Sequence, residues 1–251
     1  MTNSSILVTT LNHNLPGMTD NLVNQIKQSV FTGYELFVVD NGSEPENFSQ
    51  HTSLRLEANT FYGGGCNVIL DHFLKKTTHD YLLILNNDLL FHGYYFLDKL
   101  LNHARDGDFA LLSPSVINAS FIQDPWKQMR WWGADRTREV LWVDFQCPLL
   151  RRDLCATIQQ FPQELYLGWG VDFYASLVCD ERKLKVGVCD DITITHLNSQ
   201  TLAQNKVKNM TMRNFNKSAE SRMANYFSGS ARNKRYLEFR DYGDNYRYSP
   251  G

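Results

Sequence analysis

The sequence predicts an α/β protein with a doubly wound, mostly parallel central sheet, flanking helices and a helical, basic C-terminal tail. Two observations lead to this prediction. Short apolar runs rich in β-branched residues alternate with stretches whose apolar residues recur at helical spacing. This order is typical of β-α-β units, in which helices cover both faces of a parallel sheet. With 251 residues the chain can bury one large core.

The first half of the chain supplies most of the expected elements. Apolar runs predict strands over five segments, residues 6–11, 35–40, 54–56, 81–85 and 109–116. A first helix is expected between the first two strands, with Thr19 or Asp20 as its cap and Val30 on its apolar face. A second helix is opened by the glycine run 63–65, and a third covers residues 94–104.

The second half changes character. Residues 126–142 hold four of the five tryptophans, with a turn at 133–135 between short strands. A strand over 141–147 is expected to run into a helix start at 151–153. Two further segments are a loop and helix over 165–179 and a last strand over 185–197. The predicted domains are residues 1–197, with halves that meet near residue 118, and a C-terminal extension over 198–251.

Charge and cysteine content indicate the cellular setting. The net charge of −2 predicts no polyanionic partner for the chain as a whole, although residues 198–251 carry ten cations against four acids. Five cysteines without CxxC spacing favour a reducing, intracellular setting. No apolar run has the length of a signal peptide or of a membrane span. We therefore expect a cytoplasmic protein. The basic tail leaves an anionic acceptor, or the inner face of a membrane, open as a partner.

The most informative segment is an apolar run that ends in Asn86, Asn87 and Asp88. Open α/β sheets bind their ligands at the carboxyl ends of such strands. A carboxylate with carboxamide neighbours suits a hard divalent cation that is shared with substrate phosphates. A polar turn after a strand explains the same three residues equally well.

Polar residues also end other predicted strands. Asp40 ends the second strand, where it can accept hydrogen bonds from a base or a ribose. His196 ends the last strand, and if that strand lies beside the one before Asp88, the two side chains can share a metal, preferably manganese. The glycines at 63–65 allow the backbone to approach phosphate, although a plain tight turn is the preferred interpretation.

Asp172 is the candidate general base. Trp169 and Gly170 precede it, and a partly apolar pocket raises the pKa of a carboxylate towards the range useful for accepting a proton. An acid that is stabilised at a helix N-terminus explains Asp172 as well.

Five motifs in this order resemble family 2 glycosyltransferases of the GT-A fold. The motifs are residues 6–12 (ILVTTLN), 38–43 (VVDNGS), 57–67 (EANTFYGGGCN), 83–88 (LILNND) and 147–153 (CPLLRRD). The resemblance extends over about residues 5–197. It implies an enzyme of polysaccharide biosynthesis that moves a sugar from a nucleotide-sugar donor, a UDP-sugar first of all, to a glycan or glycoconjugate with inversion.

The resemblance also implies roles for individual residues. The nucleotide-sugar would be contacted by Thr10, Asn12, Asp40, Asn59, Gly64, Asn67, Asn86 and Asn87. The metal, Mn²⁺ or Mg²⁺, would be bound by Asp88 and His196. The acceptor hydroxyl would be deprotonated by Asp172, with Asp144 and Asp135 in reserve. The acceptor would be contacted by Trp169, Gly170, Arg151 and Trp132. The chain departs from the family's Glu-Asp-x-Asp pattern, of which only the last acid remains.

Two other classes of protein stay open. A non-catalytic nucleotide-sugar or carbohydrate-binding module would fit the missing Glu-Asp pair, and tryptophans within 126–142 can stack on sugar rings. A metal-dependent nucleotidyltransferase is disfavoured because residues 9–14 contain no lysine or arginine after the first strand. Release of nucleoside diphosphate distinguishes an enzyme from a binding module. The sequence does not indicate an oligomeric state.

Overall fold

The computed structural model describes residues 5–118, 126–133, 136–197 and 212–247. Within these ranges the strands are β1 (Ile6–Asn12), β2 (Tyr34–Asp40), β3 (Thr52–Arg55), β4 (Tyr81–Leu85), β5 (Leu89–Phe91), β6 (Phe109–Asn118), β7 (Thr137–Glu139), β8 (Leu149–Arg151) and β9 (Lys185–His196). The helices are α1 (Pro16–Lys27), α2 (Phe61–Lys76), α3 (Phe96–Asp106), α4 (Arg152–Ile158), α5 (Val171–Arg182), α6 (Met212–Ser228) and α7 (Asn233–Asn245). Short 3-10 turns lie at Lys127–Met129 and Gln163–Leu165.

All nine of these strands join one sheet. Its order is β3-β2-β1-β4-β8-β6-β9-β5, and β7 pairs with β9. The neighbours β3, β2, β1 and β4 are parallel, as are the long strands β6 and β9. Each antiparallel pair includes one of the three-residue strands β5, β7 and β8. The predicted fold class, a mostly parallel sheet flanked by helices, is confirmed.

The centre of the sheet is apolar on both faces, as a parallel strand covered by helices requires. Ile6, Leu7 and Val8 of β1 and all five residues of β4 are buried. Thr10 pairs with Leu85, so the two strands end side by side. The polar residues that follow β1 and β4 therefore meet at one edge of the sheet.

The first helix begins earlier than the sequence analysis predicted. It starts at Pro16, a residue well suited to the first turn because its fixed φ is helical and the missing N–H needs no partner there. Thr19 therefore lies inside the helix and does not cap it. Val30 lies beyond the last helical residue and is 52% exposed, so its expected place on the apolar face was wrong.

Residues 141–147 do not form the predicted strand. They run as an irregular segment because Trp142 is fully buried under the C-terminal helices. Its indole N–H donates to the Phe239 carbonyl oxygen at 2.8 Å, and its ring packs against Phe173 with centroids 4.4 Å apart. The expected turn at 133–135 includes residues 134 and 135, which lie outside the described residues.

The C-terminal helices pack into the main core. Phe227, Tyr236 and Phe239 are buried, and the Phe227 and Tyr236 rings stack with centroids 4.3 Å apart. Ion pairs add to this contact: Arg232 reaches Glu181 at 2.8 Å and Arg235 reaches Asp180 at 2.6 Å, both on α5. Aromatic burial and charge pairing thus hold the tail on the sheet domain, and a domain division at residue 198 stays a prediction.

No helix in the described part of the chain is long and apolar enough to cross a membrane.

The packing of α7 leads to a stability prediction. Phe239→Ala removes a fully buried ring and should lower the free energy of unfolding by about 3–5 kcal/mol. Leu237→Ala, on the same helix but 39% exposed, should change it by about 0.5 kcal/mol or less. Urea unfolding of both variants measures the difference. Equal effects would show that α7 is not packed as described.

Candidate active site

A cavity of about 720 Å³ opens where β1 and β4 end. Several parts of the chain line it, among them the ends of β1, β2, β4 and β9, the start of α2, the segment 144–146, the turn 167–173, and the helices α6 and α7. The tail thus supplies one wall. It contributes Glu220, Met223 and Arg240 among other residues, none of which the sequence analysis had placed in the site.

The structure brings Asp88 and His196 together. Leu89 pairs with His196 in the antiparallel β5–β9 ladder, so strand pairing fixes the imidazole beside the end of β4. The His196 Nε2 atom lies 3.1 Å from the Asp88 Oδ1 atom, and the Asn86 Nδ2 atom lies 3.5 Å from the same imidazole nitrogen. Asp88 is buried, and the three side chains line the cavity.

The donor set at this point fits a divalent metal held jointly with a substrate. A carboxylate and an imidazole suit Mn²⁺ and, less well, Mg²⁺. Within the described ranges, no three His, Cys, Asp or Glu side chains converge on one position. Asp88 and His196 alone would leave most coordination positions to other oxygens, such as those of a diphosphate.

Asn12, Asp40 and Asn87 belong to a buried polar network below the cavity. Asn12 Nδ2 donates to Asp40 Oδ2 at 2.8 Å, and the Ser43 backbone N–H donates to Asp40 Oδ1 at 3.0 Å. Thr19 Oγ1 links Asn12 Oδ1, at 3.0 Å, to Asn87 Nδ2, at 3.2 Å. Asn87 also lines the cavity, whereas Asn12 and Asp40 do not. Their contacts with a nucleotide stay predictions.

Other residues line the cavity near the ends of β1 and β2. His13, Asn41 and Asn59 line it, and only Asn59 was a candidate from the sequence. His13 Nδ1 lies 3.0 Å from the Asn41 carbonyl oxygen, and burial lowers the pKa of this imidazole. His13 is the first residue after β1. A polar residue directly after a buried strand is the sequence signal by which it could have been identified as a site residue. Thr10 is buried within β1 and does not line the cavity.

The glycine run does not form a phosphate-binding loop or a tight turn. All three glycines lie in the first turns of α2, and the N–H groups of Gly63 and Gly64 donate to the Tyr166 carbonyl oxygen at 2.8 and 3.4 Å. A Cβ atom on Gly63 would lie 2.4 Å from the Leu165 carbonyl oxygen. The prediction was wrong because the N-terminus of α2 abuts the 165–166 turn, and the missing side chains permit that approach.

Asn67 also connects α2 to a distant part of the chain. Its side chain accepts from the Phe161 N–H at 2.7 Å and donates to the Phe161 carbonyl oxygen at 3.1 Å. It thereby joins α2 to the segment between α4 and α5, and it does not line the cavity.

Asp172 is the second residue of α5, and Gly170, which precedes the helix, is in the left-handed conformation with φ of 92°. Its Oδ1 atom accepts from the Phe173 backbone N–H at 2.8 Å. Burial, and secondly the charge of Asp144, raise the pKa of Asp172 to about 8. Burial likewise raises the pKa of Asp144, against the opposing effects of His196 and of a 2.9 Å hydrogen bond from Gln146. Two carboxyl groups therefore influence each other's protonation within one cavity.

Asp135, the other reserve base, lies outside the described residues.

The acceptor candidates fall into two groups. Trp169 and Gly170 line the cavity beside Asp172. Arg151 pairs with Tyr81 at the opposite end of β4 and binds Asp153 at 2.8 Å, so its placement at the acceptor was wrong. Trp132 donates to the Lys127 carbonyl oxygen at 3.3 Å and lies outside the cavity lining.

The sequence and the fold are both similar to those of known proteins. A sequence model described as glycosyl transferase family 2 matches residues 5–158. The structure is similar to Staphylococcus aureus TarS 1–349 in complex with UDP-GlcNAc, with a TM-score of 0.61 and 15% identity over 93% of this chain and 76% of that one. It is also similar to the Pyrobaculum calidifontis mannosyltransferase PcManGT in complex with GDP-Man and Mn²⁺, with a TM-score of 0.62 and 13% identity over 96% of this chain and 70% of that one. No curated protein sequence matches the chain.

The contact of α2 with the 165–166 turn predicts opposite effects of two glycine substitutions. Gly63→Ala forces a Cβ atom against a backbone oxygen and should lower the free energy of unfolding by about 1–3 kcal/mol. Gly17→Ala, in α1 with open space around it, should raise that free energy by about 0.4–1 kcal/mol. Thermal unfolding distinguishes them, and a stabilising Gly63→Ala would contradict the described contact.

The raised pKa of Asp172 predicts a pH-dependent stability difference. The native state retains a proton that the unfolded chain loses near pH 4, so this group stabilises the fold at low pH, and the contribution is lost as pH rises through the native pKa of about 8. Asp172→Asn removes this dependence. The melting temperature of Asp172→Asn minus that of the wild type should therefore grow between about pH 5 and about pH 8. A constant difference would contradict the raised pKa.

Proposed function

This chain belongs to glycosyl transferase family 2, and we propose that it transfers a sugar from a nucleoside-diphosphate sugar to a hydroxyl group of a glycan or glycoconjugate, with inversion at the anomeric carbon. A UDP-sugar is the proposed donor. One observation carries the proposal: the Asp88–His196 pair and the Asp172 carboxyl line the same cavity. A sugar bound there would have its leaving group at one end and a proton acceptor at the other.

At the donor end, Asp88 and His196 would hold Mn²⁺ or Mg²⁺ together with the diphosphate. A bound divalent ion supplies positive charge that stabilises the departing diphosphate. The Asn86 side chain lies beside His196, where it is positioned to contact the donor near the same phosphates. His13, Asn41 and Asn59 line the part of the cavity left for the nucleotide.

At the acceptor end, Asp172 would take the proton of the attacking hydroxyl. The acceptor oxygen forms a bond to the anomeric carbon while the bond from that carbon to the diphosphate oxygen breaks, on the opposite face of the ring. A general base works best when its pKa lies near the working pH, and a pKa of about 8 satisfies this condition for Asp172. Trp169 and the tail residues Met223 and Arg240 form the wall against which an acceptor would bind.

Two substitutions test the two ends separately. Asp88→Ala should abolish the Mn²⁺-dependent rise in melting temperature that a nucleotide-sugar produces, because bound ligand stabilises only the native state. Asp172→Asn should retain this rise, while acceptor-dependent release of nucleoside diphosphate falls by about 10²–10⁴-fold through loss of the general base. A panel of UDP-, GDP- and dTDP-sugars supplies the donor.

Asp71→Asn serves as the matched control, since Asp71 is an exposed acid on α2 outside the cavity. It should change neither donor binding nor release. Donor binding without any release, across a panel of glycan acceptors, would instead indicate a non-catalytic nucleotide-sugar-binding module.

A further inference from the structure

Gln146 has an unusual environment in the cavity. Only 8% of the residue is exposed, and it lines the cavity. Its backbone oxygen accepts from the Asn86 N–H at 3.0 Å, which fixes it beside the end of β4. Its side-chain Nε2 donates to Asp144 Oδ2 at 2.9 Å, whereas its Oε1 atom is buried without a hydrogen-bond partner.

The orientation of this carboxamide follows from its neighbour. Because the amide nitrogen donates to Asp144, the carbonyl oxygen of the same carboxamide faces away from it. Native proteins leave few buried acceptors unsatisfied, and an unsatisfied one at a cavity wall is a candidate contact for a ligand. Gln146 Oε1 therefore offers an oriented acceptor to whatever occupies the cavity.

The position of Asp144 identifies the part of the ligand concerned. Asp144 and Gln146 line the same cavity as the Asp88–His196 pair and Asp172, and the Gln146 backbone is hydrogen-bonded to Asn86 at the end of β4. In the proposed reaction they therefore face the space that the leaving diphosphate and the base share. In a displacement at the anomeric carbon, the group between the leaving diphosphate and the base is the sugar that is transferred.

We propose that Gln146 Oε1 and the Asp144 carboxylate accept hydrogen bonds from hydroxyl groups of the transferred sugar and so determine which donor sugar is used. The inference rests on the proposed function. Because both groups accept, the site fits a sugar with free hydroxyls at the contacted positions. Sites built to bond a hydroxyl strongly reject an analogue that lacks it, so deoxy and fluoro analogues at those positions are rejected.

Gln146→Met tests the proposal because it keeps the length of the side chain and removes the acceptor. The probes are UDP-glucose, UDP-galactose, UDP-N-acetylglucosamine and GDP-mannose, each with Mn²⁺, compared by calorimetry with UDP and GDP alone. For the probe that binds the wild type most tightly, Gln146→Met should weaken binding about 10- to 100-fold. Binding of the matching nucleoside diphosphate should stay within about 2-fold, because its contacts do not include the sugar.

Two further variants keep the test decisive. Asp144→Asn, which keeps the shape of the side chain, should weaken the same nucleotide-sugar more than the diphosphate, and it replaces Gln146→Met if that variant does not fold. Gln128→Met is the matched control. Gln128 is fully buried with both side-chain polar atoms unpartnered, but it does not line the cavity, so both affinities should be unchanged.

The outcomes separate this inference from the proposed function. Equal weakening of nucleotide-sugar and diphosphate by Gln146→Met, or no effect on either, overturns the inference and leaves the donor site standing. Wild-type binding of diphosphate alone, with no gain from any sugar in the panel, also overturns it. If the wild type binds neither class of probe, the proposed function fails and the inference fails with it.

Discussion

The pairing of β9 with its neighbours is the constraint on which the site depends. This strand pairs in parallel with β6 over most of its length, and its last residues pair with β5 in the antiparallel direction. Because β5 directly follows Asp88, the second pairing positions His196 beside a carboxylate more than a hundred residues earlier in the chain. A shift of one residue in the register of β9 would turn the imidazole to the other face of the sheet, since successive side chains of a strand point to opposite faces. The backbone ladder, rather than any side-chain contact, therefore sets the distance between the two candidate metal ligands.

The uneven charge of the chain has an internal explanation. The acids Asp180 and Glu181 near the end of α5 face Arg232 and Arg235 at the start of α7. Exposed ion pairs contribute little stability individually, so the aromatic contacts around Phe227 and Phe239 contribute most of the attachment. The charges instead orient the helices on the sheet domain. This pairing uses part of the basic surface that the sequence alone left available for an anionic partner, and it brings Arg240 to the cavity wall.

The sequence predicted the central elements well and the long-range packing poorly, for physical reasons. β4 was recognisable because a strand buried on both faces reads as an uninterrupted apolar run, and Asn86 to Asp88 could be assigned to its end. The glycine run was misassigned because its partner, the Tyr166 backbone oxygen, lies about a hundred residues away, and the bond between Asn67 and the Phe161 backbone spans a similar length of chain. The contact of Asn67 with a nucleotide stays a prediction. The same limit hid Gln146, which contacts Asn86, and Arg240, which reaches the cavity wall from the tail. Local pattern shows that a residue is buried, but it does not show what it touches.

Asp172 shows how competing electrostatic effects can be weighed. At the start of α5, the helix dipole and the Phe173 N–H both favour the ionised carboxylate and act to lower its pKa. If this acid served only to stabilise the helix N-terminus, its pKa would lie below the ordinary value. It is raised to about 8 instead, so burial and the charge of Asp144 outweigh the helix. Such an arrangement costs stability at neutral pH, where a solvated acid at the same helix position would contribute stability. A loss of folding stability of this kind is expected at a functional site whose chemistry requires a carboxyl group with a pKa near the working pH. A general base has this requirement.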